Sequence, residues 1–401
     1  MSHLPATSTA DSGPFGVTAP AGFRAAGVAA GLKSTGARDV AVVVNDGPSK
    51  AAAAVFTSNR VAAAPVLWSR QVISDGRADA VVLNSGGANA CTGPEGFGNT
   101  HRTAEHTAAA LGVSATDTLV CSTGLIGVQL PMDQLIPGVD AAVAALGTGA
   151  ENDGGSAAAA AIMTTDTVSK ESGFAGTGYS IGGMAKGAGM LAPGLATMLV
   201  VVTTDADVDP DTLDAALRAA CRISFDRADS DGCMSTNDTV ILMASGASGV
   251  TPEPDEFAAG LTAVCTDLAL QLIRDAEGAA HNITIRTLNA ATEGEAETVS
   301  RAVARSNLFK TAIFGQDPNW GRILSAVGTT DAAFEPDEID VSINGVMVCR
   351  GGGVGDDRDL VDLSGREVLV EIDLNAGADE ATLWTNDLTH EYVHENSAYS
   401  S

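Results

Sequence analysis

Short runs rich in β-branched residues alternate along this chain with longer alanine-rich segments, and this alternation restricts the possible folds most. Runs of about four to eight such residues favour strands, whereas longer segments with helical periodicity favour helices. Strands are predicted at Val40–Val44, Ala80–Leu83, Leu119–Cys121 and Met198–Thr204, and helices at His101–Leu111, Val139–Leu146 and Pro210–Ser224. Because both halves mix strands and helices, the sequence predicts an α+β or layered α/β architecture.

The second half of the chain has the clearest patterns. Phe257–Leu272 carries apolar residues at helical spacing, and this amphipathic helix is predicted to end near Gly278. A more polar helix is predicted at Ala291–Ser306. Alternating residues lead into Asn344-Gly345, a strong signal for a two-residue hairpin, and Val368–Ile372 is predicted to be a further strand.

Glycine-rich sequence interrupts the periodic pattern in the first half. The pattern is weaker in residues 147–161 and 173–189, and residues 1–20 are predicted to form a tail that is loose or lies along the rest of the protein. Glycine makes up 45 of the 401 residues, which is above the usual share of about 7%. Since only 4% of the residues are aromatic while 45% are hydrophobic, the core must be built mainly from Ala, Val, Leu and Ile.

Length and charge limit the organisation and the partners. A chain of 401 residues is expected to divide its core between two lobes. The formal net charge of −28 would be repelled by phosphate backbones and anionic membranes, so neither nucleic acid nor a membrane is expected as a partner. The six cysteines contain no C-x-x-C pair, and the N-terminus lacks the pattern of a signal peptide. We therefore expect a soluble, cytoplasmic protein.

The segment His390-Glu391-Tyr392-Val393-His394 has the H-E-x-x-H spacing of zinc peptidases. Its surroundings favour a strand, because Tyr392 and Val393 are β-prone and a strand-like segment, Ala381–Trp384, precedes them. Only seven residues follow His394, which leaves no room for a third ligand on a second helix. We interpret both histidines as polar residues near a C-terminal strand and keep a zinc peptidase as an alternative.

A formal G-x-S-x-G motif surrounds Ser180. A nucleophile elbow needs a buried strand before the serine and a helix after it, whereas here glycine-rich sequence lies on both sides. We interpret Ser180 as a loop residue. The neighbouring glycines match neither the dinucleotide fingerprint nor the phosphate-binding P-loop.

A flexible Gly/Pro loop in Lys186–Leu199 leads Ala196-Thr197 directly into a buried strand. Such a threonine is usually only a β-branched residue that suits a strand. A strained peptide bond before a hydroxyl residue can also undergo an N→O acyl shift, and cleavage there would make Thr197 a new N-terminus. Its α-amino group, with an ordinary pKa of about 7.7–8.0, could then act as the base for its own hydroxyl.

The chain resembles the ornithine acetyltransferase (bifunctional glutamate N-acetyltransferase) family of arginine biosynthesis. The resemblance rests on motifs in order along nearly the whole chain, namely Gly22–Gly27, Ala88–Gly93, Ser122–Gly127, Met163–Asp166, Lys186–Leu199, Ser235–Thr239, Asp275–Gly278, Asp317–Arg322 and Glu395–Ser401. It implies an enzyme that moves acetyl from N-acetylornithine to glutamate through an acetyl-Thr197 ester, without metal or cofactor. Acetyl-CoA is left open as a second acetyl donor.

The resemblance also implies roles for individual residues. Thr197 is the expected nucleophile and Ala196–Thr197 the cleaved bond, while Thr123 and Gly124 correspond to the oxyanion hole. The expected substrate contacts are Thr164, Lys186, Thr197, Glu277, Asn396 and Ser401. A lysine and a glutamate in one pocket suit an amino-acid substrate, which carries both a carboxylate and an ammonium group.

The implied fold is a layered, N-terminal-nucleophile-like fold of two lobes. Self-cleavage is expected to give an N-terminal chain, residues 1–196, and a C-terminal chain, residues 197–401, which stay associated as a heterotetramer of two copies of each. The closest alternative is an N-terminal-nucleophile amidase or aminopeptidase on the same fold, in which water takes the acyl group. A non-enzymatic binding protein is a further alternative.

Overall fold

The computed structural model describes residues 16–147, 154–192 and 198–398, and these form fifteen strands and ten α-helices. The strands are β1 (Phe23–Val28), β2 (Val40–Asn45), β3 (Ala52–Phe56), β4 (Ala80–Asn84), β5 (Thr118–Ser122), β6 (Lys170–Ala175), β7 (Ser180–Lys186), β8 (Leu199–Thr204), β9 (Thr239–Ala244), β10 (Asn282–Ala290), β11 (Asp340–Ile343), β12 (Val346–Arg350), β13 (Gly353–Val354), β14 (Glu367–Asp373) and β15 (Asp379–Asn386). The helices are α1 (Ala64–Val72), α2 (Gly93–Leu111), α3 (Met132–Ala144), α4 (Gly154–Ala161), α5 (Pro210–Ile223), α6 (Pro254–Arg274), α7 (Glu293–Ala304), α8 (Asn307–Phe314), α9 (Trp320–Val327) and α10 (His390–Ala398).

The first lobe contains a four-stranded sheet and a five-stranded sheet. The four-stranded sheet has the order β1-β2-β4-β5, and α2, α3 and α4 pack against it. The five-stranded sheet has the order β3-β9-β8-β7-β6 and contacts α5 and α6. The two sheets share one apolar core, and a second core lies between the five-stranded sheet and its helices.

Strand β8 shows how these layers are built. Its alternate side chains point to opposite faces, so Leu199 and Val201 join the core between the sheets while Val200 and Val202 join the core beneath α5 and α6. A continuous run of β-branched residues suits this double burial. Among the described residues, helix α6 is long and apolar enough to cross a membrane, but about half of its most apolar stretch is buried and its apolar side chains belong to the second core.

The second lobe is a six-stranded sheet of order β13-β12-β11-β14-β10-β15. Helices α7, α8 and α9 accompany it, α7 packs on β10 and β15, and the lobe has its own apolar core. The predicted hairpin at Asn344-Gly345 joins β11 to β12, and Asn344 has the positive φ (48°) that this turn requires. The α+β, two-lobed, layered architecture predicted from the sequence is therefore confirmed.

The glycine-rich stretches, where the sequence pattern is weak, form regular elements over most of the part that is described. Residues 154–161 form α4, and most of residues 173–189 belong to β6 and β7. Packing explains both results, because these small residues allow backbones to touch. A Cβ atom on Gly182 would lie 2.0 Å from the carbonyl oxygen of Gly16, and one on Gly27 would lie 1.9 Å from that of Ala157 in α4. Tertiary contact here outweighs the poor strand propensity of glycine.

The H-E-x-x-H segment forms helix α10, so the predicted strand there is wrong. Thr389 caps the helix, because its hydroxyl oxygen accepts a hydrogen bond from the backbone N–H of Tyr392 (2.9 Å). The ring of His390 packs edge-on against Phe314, with ring centroids 5.4 Å apart. Across the described ranges, no set of three His, Cys, Asp or Glu side chains is arranged to hold a metal ion.

The predicted position of Ser180 in a loop is also wrong, since it begins strand β7. Its hydroxyl donates a hydrogen bond to the carboxylate of Asp205 (3.0 Å), and its backbone N–H donates to the same carboxylate (2.7 Å). No helix follows this strand directly, because β8 is the next described element. The G-x-S-x-G spacing is thus part of the sheet and does not form a nucleophile elbow.

Candidate active site

A cleft lies where the ends of β5 and β7 approach α10. It is lined by Ala88, Thr123, Gly124, Ile126, Thr164, Thr165, Lys186, Gly189, Met190, Ser235, Thr236, Asn237, Glu277 and Asn396. Six residues predicted from the sequence are among them, namely Thr123, Gly124, Thr164, Lys186, Glu277 and Asn396. The other predicted residues, Ala196, Thr197 and Ser401, lie outside the described residues.

Thr123 and Gly124 directly follow β5 and are fixed by backbone contacts. The N–H of Thr123 donates to the carbonyl of Asn84 (2.9 Å), and its carbonyl accepts from the N–H of Gly87 (3.0 Å). Gly124 has a φ of +128°, and a Cβ atom there would lie 2.8 Å from the nitrogen of Gly87. Only glycine suits this position. A hydroxyl and a neighbouring backbone N–H at the cleft are the kind of donors that can stabilise an oxyanion.

Lys186, the last residue of β7, is 2% exposed and carries its ammonium group into the cleft region. Its Nζ lies 3.4 Å from the hydroxyl oxygen of Thr123 and 3.9 Å from a carboxylate oxygen of Asp166. Burial lowers the pKa of Lys186, and the negative charge of Asp166 is the largest influence that opposes this. The site therefore has a buried amine whose charged form is supported by Asp166 and which suits a substrate carboxylate.

Asp166 is itself buried, and burial alone would raise its pKa. The charges of Lys186 and Lys170 outweigh that effect and lower the pKa of Asp166 to about 2. Asp166 therefore stays a carboxylate across the physiological pH range.

Glu277 comes to the cleft from the segment after α6. Its backbone N–H donates to the carbonyl of Ala188 (2.9 Å), which fixes its main chain. Its carboxylate lies against Gly189, where a Cβ atom would be 2.7 Å from both carboxylate oxygens. The cleft thus presents the carboxyl group of Glu277 as well as the amine of Lys186, and such a pair suits the two ends of an amino acid.

Helix α10 covers one side of the cleft and supplies Asn396. The hydroxyl of Thr389 donates to the carbonyl of Gly278 (2.6 Å), so the start of α10 is fixed beside Glu277. Gly278 has a φ of +62°, and a Cβ atom there would lie 2.2 Å from the nitrogen of Tyr392. The exposed Asn396 donates its amide to the carbonyl of Tyr392 (3.0 Å) at the rim of the cleft.

Two structurally important residues of the site were not singled out from the sequence. The amide of Asn237 donates to the carbonyls of Ala88 (2.6 Å) and Ser122 (2.8 Å), which ties the start of β9 to the strand that carries Thr123. Asp238 is fully buried and accepts a hydrogen bond from the N–H of Met198 (3.0 Å). Both belong to the motif Ser235–Thr239, which was the available signal.

Comparison with known proteins gives a consistent result. The ArgJ family model matches residues 24–401. The arginine biosynthesis bifunctional protein ArgJ of Streptomyces coelicolor is 65% identical over 385 residues, which cover 96% of this chain and all of that protein. The protein of the same name from Mycobacterium leprae is 54% identical over 393 residues, covering 96% of each chain. A crystal structure of ornithine acetyltransferase from Mycobacterium tuberculosis, complexed with ornithine, is 57% identical and covers 46% of this chain and 96% of its own, with a TM-score of 0.44.

Proposed function

Because the chain belongs to the ArgJ family of arginine biosynthesis enzymes, we propose that its cleft moves an acetyl group from N-acetylornithine to glutamate through an ester on Thr197. The observation that carries this proposal is the meeting of six predicted site residues, from separate parts of the chain, in one cleft. The names of the curated relatives favour this transfer over the amidase or aminopeptidase alternative.

Activation begins with self-cleavage. The hydroxyl oxygen of Thr197 attacks the carbonyl carbon of Ala196, and the peptide C–N bond breaks as an ester forms. Water then hydrolyses that ester, which leaves a carboxylate on Ala196 and a free α-amine on Thr197. The new amine is the base that the threonine hydroxyl needs, so neither a histidine nor a metal has to act as the base.

Transfer proceeds in two half-reactions. The hydroxyl of Thr197 attacks the acetyl carbon of N-acetylornithine, and its proton passes to the α-amine. The hydroxyl of Thr123 and the backbone N–H of Gly124 donate to the developing oxyanion. The amide bond breaks, and the departing nitrogen of ornithine takes the proton. The amine of glutamate then attacks the ester carbonyl and gives a proton to the α-amine of Thr197. The ester C–O bond breaks, the threonine oxygen takes that proton, and N-acetylglutamate leaves.

Both substrates carry an α-carboxylate, and Lys186 is the group we assign to it. A buried ammonium in a site of low dielectric binds a carboxylate more strongly than an exposed one would. Glu277 is assigned to a positively charged group of the substrate, with Thr164 and Asn396 as hydrogen-bonding neighbours. A single site can serve both amino acids in turn, because the first product leaves before the second substrate enters.

The decisive experiment compares the wild-type protein with Thr197→Ala. The wild-type chain should appear on a denaturing gel as fragments 1–196 and 197–401, and should make N-acetylglutamate from glutamate and N-acetylornithine. Thr197→Ala should remain full length and inactive, because it lacks the attacking hydroxyl. Cleavage at Ala196–Thr197 in that variant would exclude Thr197 as the nucleophile. A parallel assay with acetyl-CoA decides whether it is a second donor.

The order of events can be tested by withholding glutamate. The C-terminal fragment should then gain one acetyl group by mass spectrometry, and steady-state kinetics should be ping-pong. Intersecting double-reciprocal plots together with an unmodified fragment would indicate direct transfer between two bound amino acids.

The C-terminal residues can be tested by deletion of Asn396–Ser401. The truncated protein should still cleave itself but should lose transfer, because Asn396 lines the substrate cleft and Ser401 is an expected substrate contact. Normal transfer by the truncated protein would remove Asn396 and Ser401 from the site.

We also propose that the fragments stay together as a cytoplasmic heterotetramer of two copies of each. The pairing of β7 with β8 from Ile181↔Thr204 to Lys186↔Leu199 supports association within one protomer, since it joins the two sides of the cleavage point. Native sizing of the cleaved protein should give one species of about twice the mass of the chain. A species with the mass of one chain would rule out the tetramer.

A further inference from the structure

Three substrate-contact candidates, Thr164, Lys186 and Glu277, come from three different parts of the chain. Behind them lies a group of three charged side chains, Asp166, Lys170 and Asp275, which we call the buried ion cluster. The exposed fractions of these side chains are 1%, 0% and 8%. The cluster is charged, almost without solvent and outside the set of predicted site residues, so its role needs an explanation.

Lys170 is the centre of the cluster. Its Nζ lies 2.6 Å from a carboxylate oxygen of Asp166 and 2.6 Å from one of Asp275. Lys170 begins β6, Asp166 lies in the loop before it, and Asp275 ends α6. One ammonium group therefore joins a loop, an edge strand and the C-terminal end of a helix.

Asp166 connects the cluster to two of the substrate-contact candidates. It accepts a hydrogen bond from the backbone N–H of Thr164 (2.9 Å), which fixes the loop that carries that residue. It also accepts from the backbone N–H of Gly187 (2.6 Å), directly after Lys186. Its Oδ2 lies 3.9 Å from the Nζ of Lys186.

Asp275 connects the cluster to Glu277, two residues further along the chain. It accepts hydrogen bonds from the backbone N–H and the hydroxyl of Thr167, so the end of α6 is tied to the same loop. The backbone N–H of Glu277 donates a hydrogen bond to the carbonyl of Ala188, which lies two residues after Lys186 in the chain. A displacement of Asp275 would therefore move both the loop and the carboxylate of Glu277.

Two charges of the cluster act on the pKa of Lys186 in opposite directions. Asp166 opposes the loss of its proton, whereas the positive charge of Lys170 promotes that loss. Since Lys170 has Asp275 as a second carboxylate partner, the charge of Asp166 is shared with Lys186 rather than taken up by Lys170 alone. Asp238 and Glu277 also act on Lys186, and Lys33 lies close enough to interact with it.

We propose that Asp166, Lys170 and Asp275 are positioning residues for substrate binding: Asp166 aligns the Nζ of Lys186, and the Lys170–Asp275 pair holds Thr164 and Glu277 in place around it. None of the three touches the reacting atoms, so the expected effect is on substrate binding. The inference rests on the proposed acetyltransferase function.

The first test is Asp166→Asn. The KM for glutamate and for N-acetylornithine should rise about 10- to 100-fold, the range for loss of one interaction with a charged group. The wild-type KM should rise at alkaline pH as Lys186 loses its proton, and this rise should begin at lower pH in the variant because the main opposing charge is gone. Self-cleavage should remain complete. An unchanged KM with an unchanged pH profile would overturn the role of Asp166.

The second test separates positioning from a merely structural role. Lys170→Met leaves Asp275 without its ionic partner and Asp166 with only the more distant Lys186, so it should lower the melting temperature. Asp275→Leu leaves Lys170 with Asp166 as its one carboxylate partner and should lower the melting temperature less. The double variant removes the Lys170–Asp275 pair, while Asp166 keeps Lys186 and its backbone donors. Its melting temperature should lie above that of Lys170→Met alone, because no unpaired Asp275 remains, while its KM stays at least about tenfold above wild type. A double variant with wild-type KM would show that the pair serves stability alone.

The matched control is Asp214→Asn in α5. Asp214 and Arg218 form an ion pair with the same four-residue spacing as Asp166 and Lys170, but their side chains are 44% and 60% exposed. This variant should change neither KM nor melting temperature appreciably. If the wild-type protein itself formed no N-acetylglutamate, the proposed function would fail, whereas normal wild-type transfer with unaffected cluster variants would reject only the positioning role.

Discussion

At the scale of single residues, glycines determine how closely backbone and side chains approach the cleft. Gly124 combines a positive φ with close contact to Gly87, so Gly124→Ala should distort the backbone N–H assigned to the oxyanion. We expect kcat for transfer to fall about 10²- to 10³-fold, as when one oxyanion donor is lost. Gly127→Ala is the control, because Gly127 also has a positive φ (+82°) but a Cβ atom there meets nothing within 4 Å. An equal loss in both variants would indicate backbone strain alone.

Gly189 acts on a side chain instead of the backbone. A Cβ atom on Gly189 would push the carboxylate of Glu277 from its place, and the end of this flexible side chain can move. Gly189→Ala should therefore raise KM about tenfold, the equivalent of one weakened contact, while self-cleavage continues. The measurement is steady-state transfer with both substrates. A wild-type KM would place Glu277 outside the binding site.

At the scale of elements, the start of β8 depends on a contact from β9. Asp238, just before β9, accepts the N–H of Met198, the residue that follows Thr197 in the chain. Burial raises the pKa of Asp238 well above its ordinary value, because ionisation is costly in this environment. The hydrogen bond from Met198 keeps the carboxyl group in this buried position. Asp238→Ala should slow self-cleavage about tenfold or more, because the backbone beside the cleavage point loses its anchor.

The measurement for Asp238→Ala is the rate at which full-length chain disappears after synthesis. Asp205→Ala is the matched control: Asp205 is a buried carboxylate at the other end of β8 that accepts the backbone N–H groups of Ala21 and Ser180. It should lower stability without selectively slowing cleavage. Equal slowing in both variants would mean that cleavage follows overall stability.

The elements also show how far the sequence predicts this structure. Strands β2, β4, β5 and β8 were predicted from continuous β-branched runs, because burial on both faces leaves a local pattern. Strands β6 and β7 and helix α4 were not predicted, because their small residues are needed for close contact with distant parts of the chain, such as Gly16. The C-terminal helix was mistaken for a strand because Tyr392 and Val393 outweighed the cap at Thr389.

The site residues, unlike the strands, left no local pattern in the sequence. The six cleft residues were named from a family resemblance, and no local periodicity would bring Thr123 and Glu277 together. Asp166 and Asp275 stood in the matching motifs without a role, because only the folded chain shows that Lys170 joins them. The roles of Thr197, Ala196 and Ser401 stay predictions.

At the scale of the whole molecule, the five-stranded sheet crosses the predicted division of the chain. Strands β3, β6 and β7 precede residue 196, whereas β8 and β9 follow it. Separation of the fragments would break the pairing of β7 with β8 and of β3 with β9, and would open both cores of the first lobe. We therefore expect the cleaved fragments to unfold together in one transition.

This expectation can be measured by denaturant unfolding followed by two probes, one on each fragment. The three tryptophans divide conveniently, with Trp68 before the cleavage point and Trp320 and Trp384 after it. Variants that keep only one of these two sets should report the same midpoint. Two distinct midpoints would show that the fragments fold as separate units.

The sheet that spans the proposed cleavage point would also make activation depend on the chain's own folding. Lys186 and Leu199 are paired across the segment that contains Thr197, so its ends meet only after β7 and β8 have assembled. A newly made chain that misfolds would keep its peptide bond and never expose a nucleophile. Only a correctly assembled chain would then become active. A chain with a damaging mutation would stay an uncleaved, inactive precursor instead of becoming a faulty enzyme.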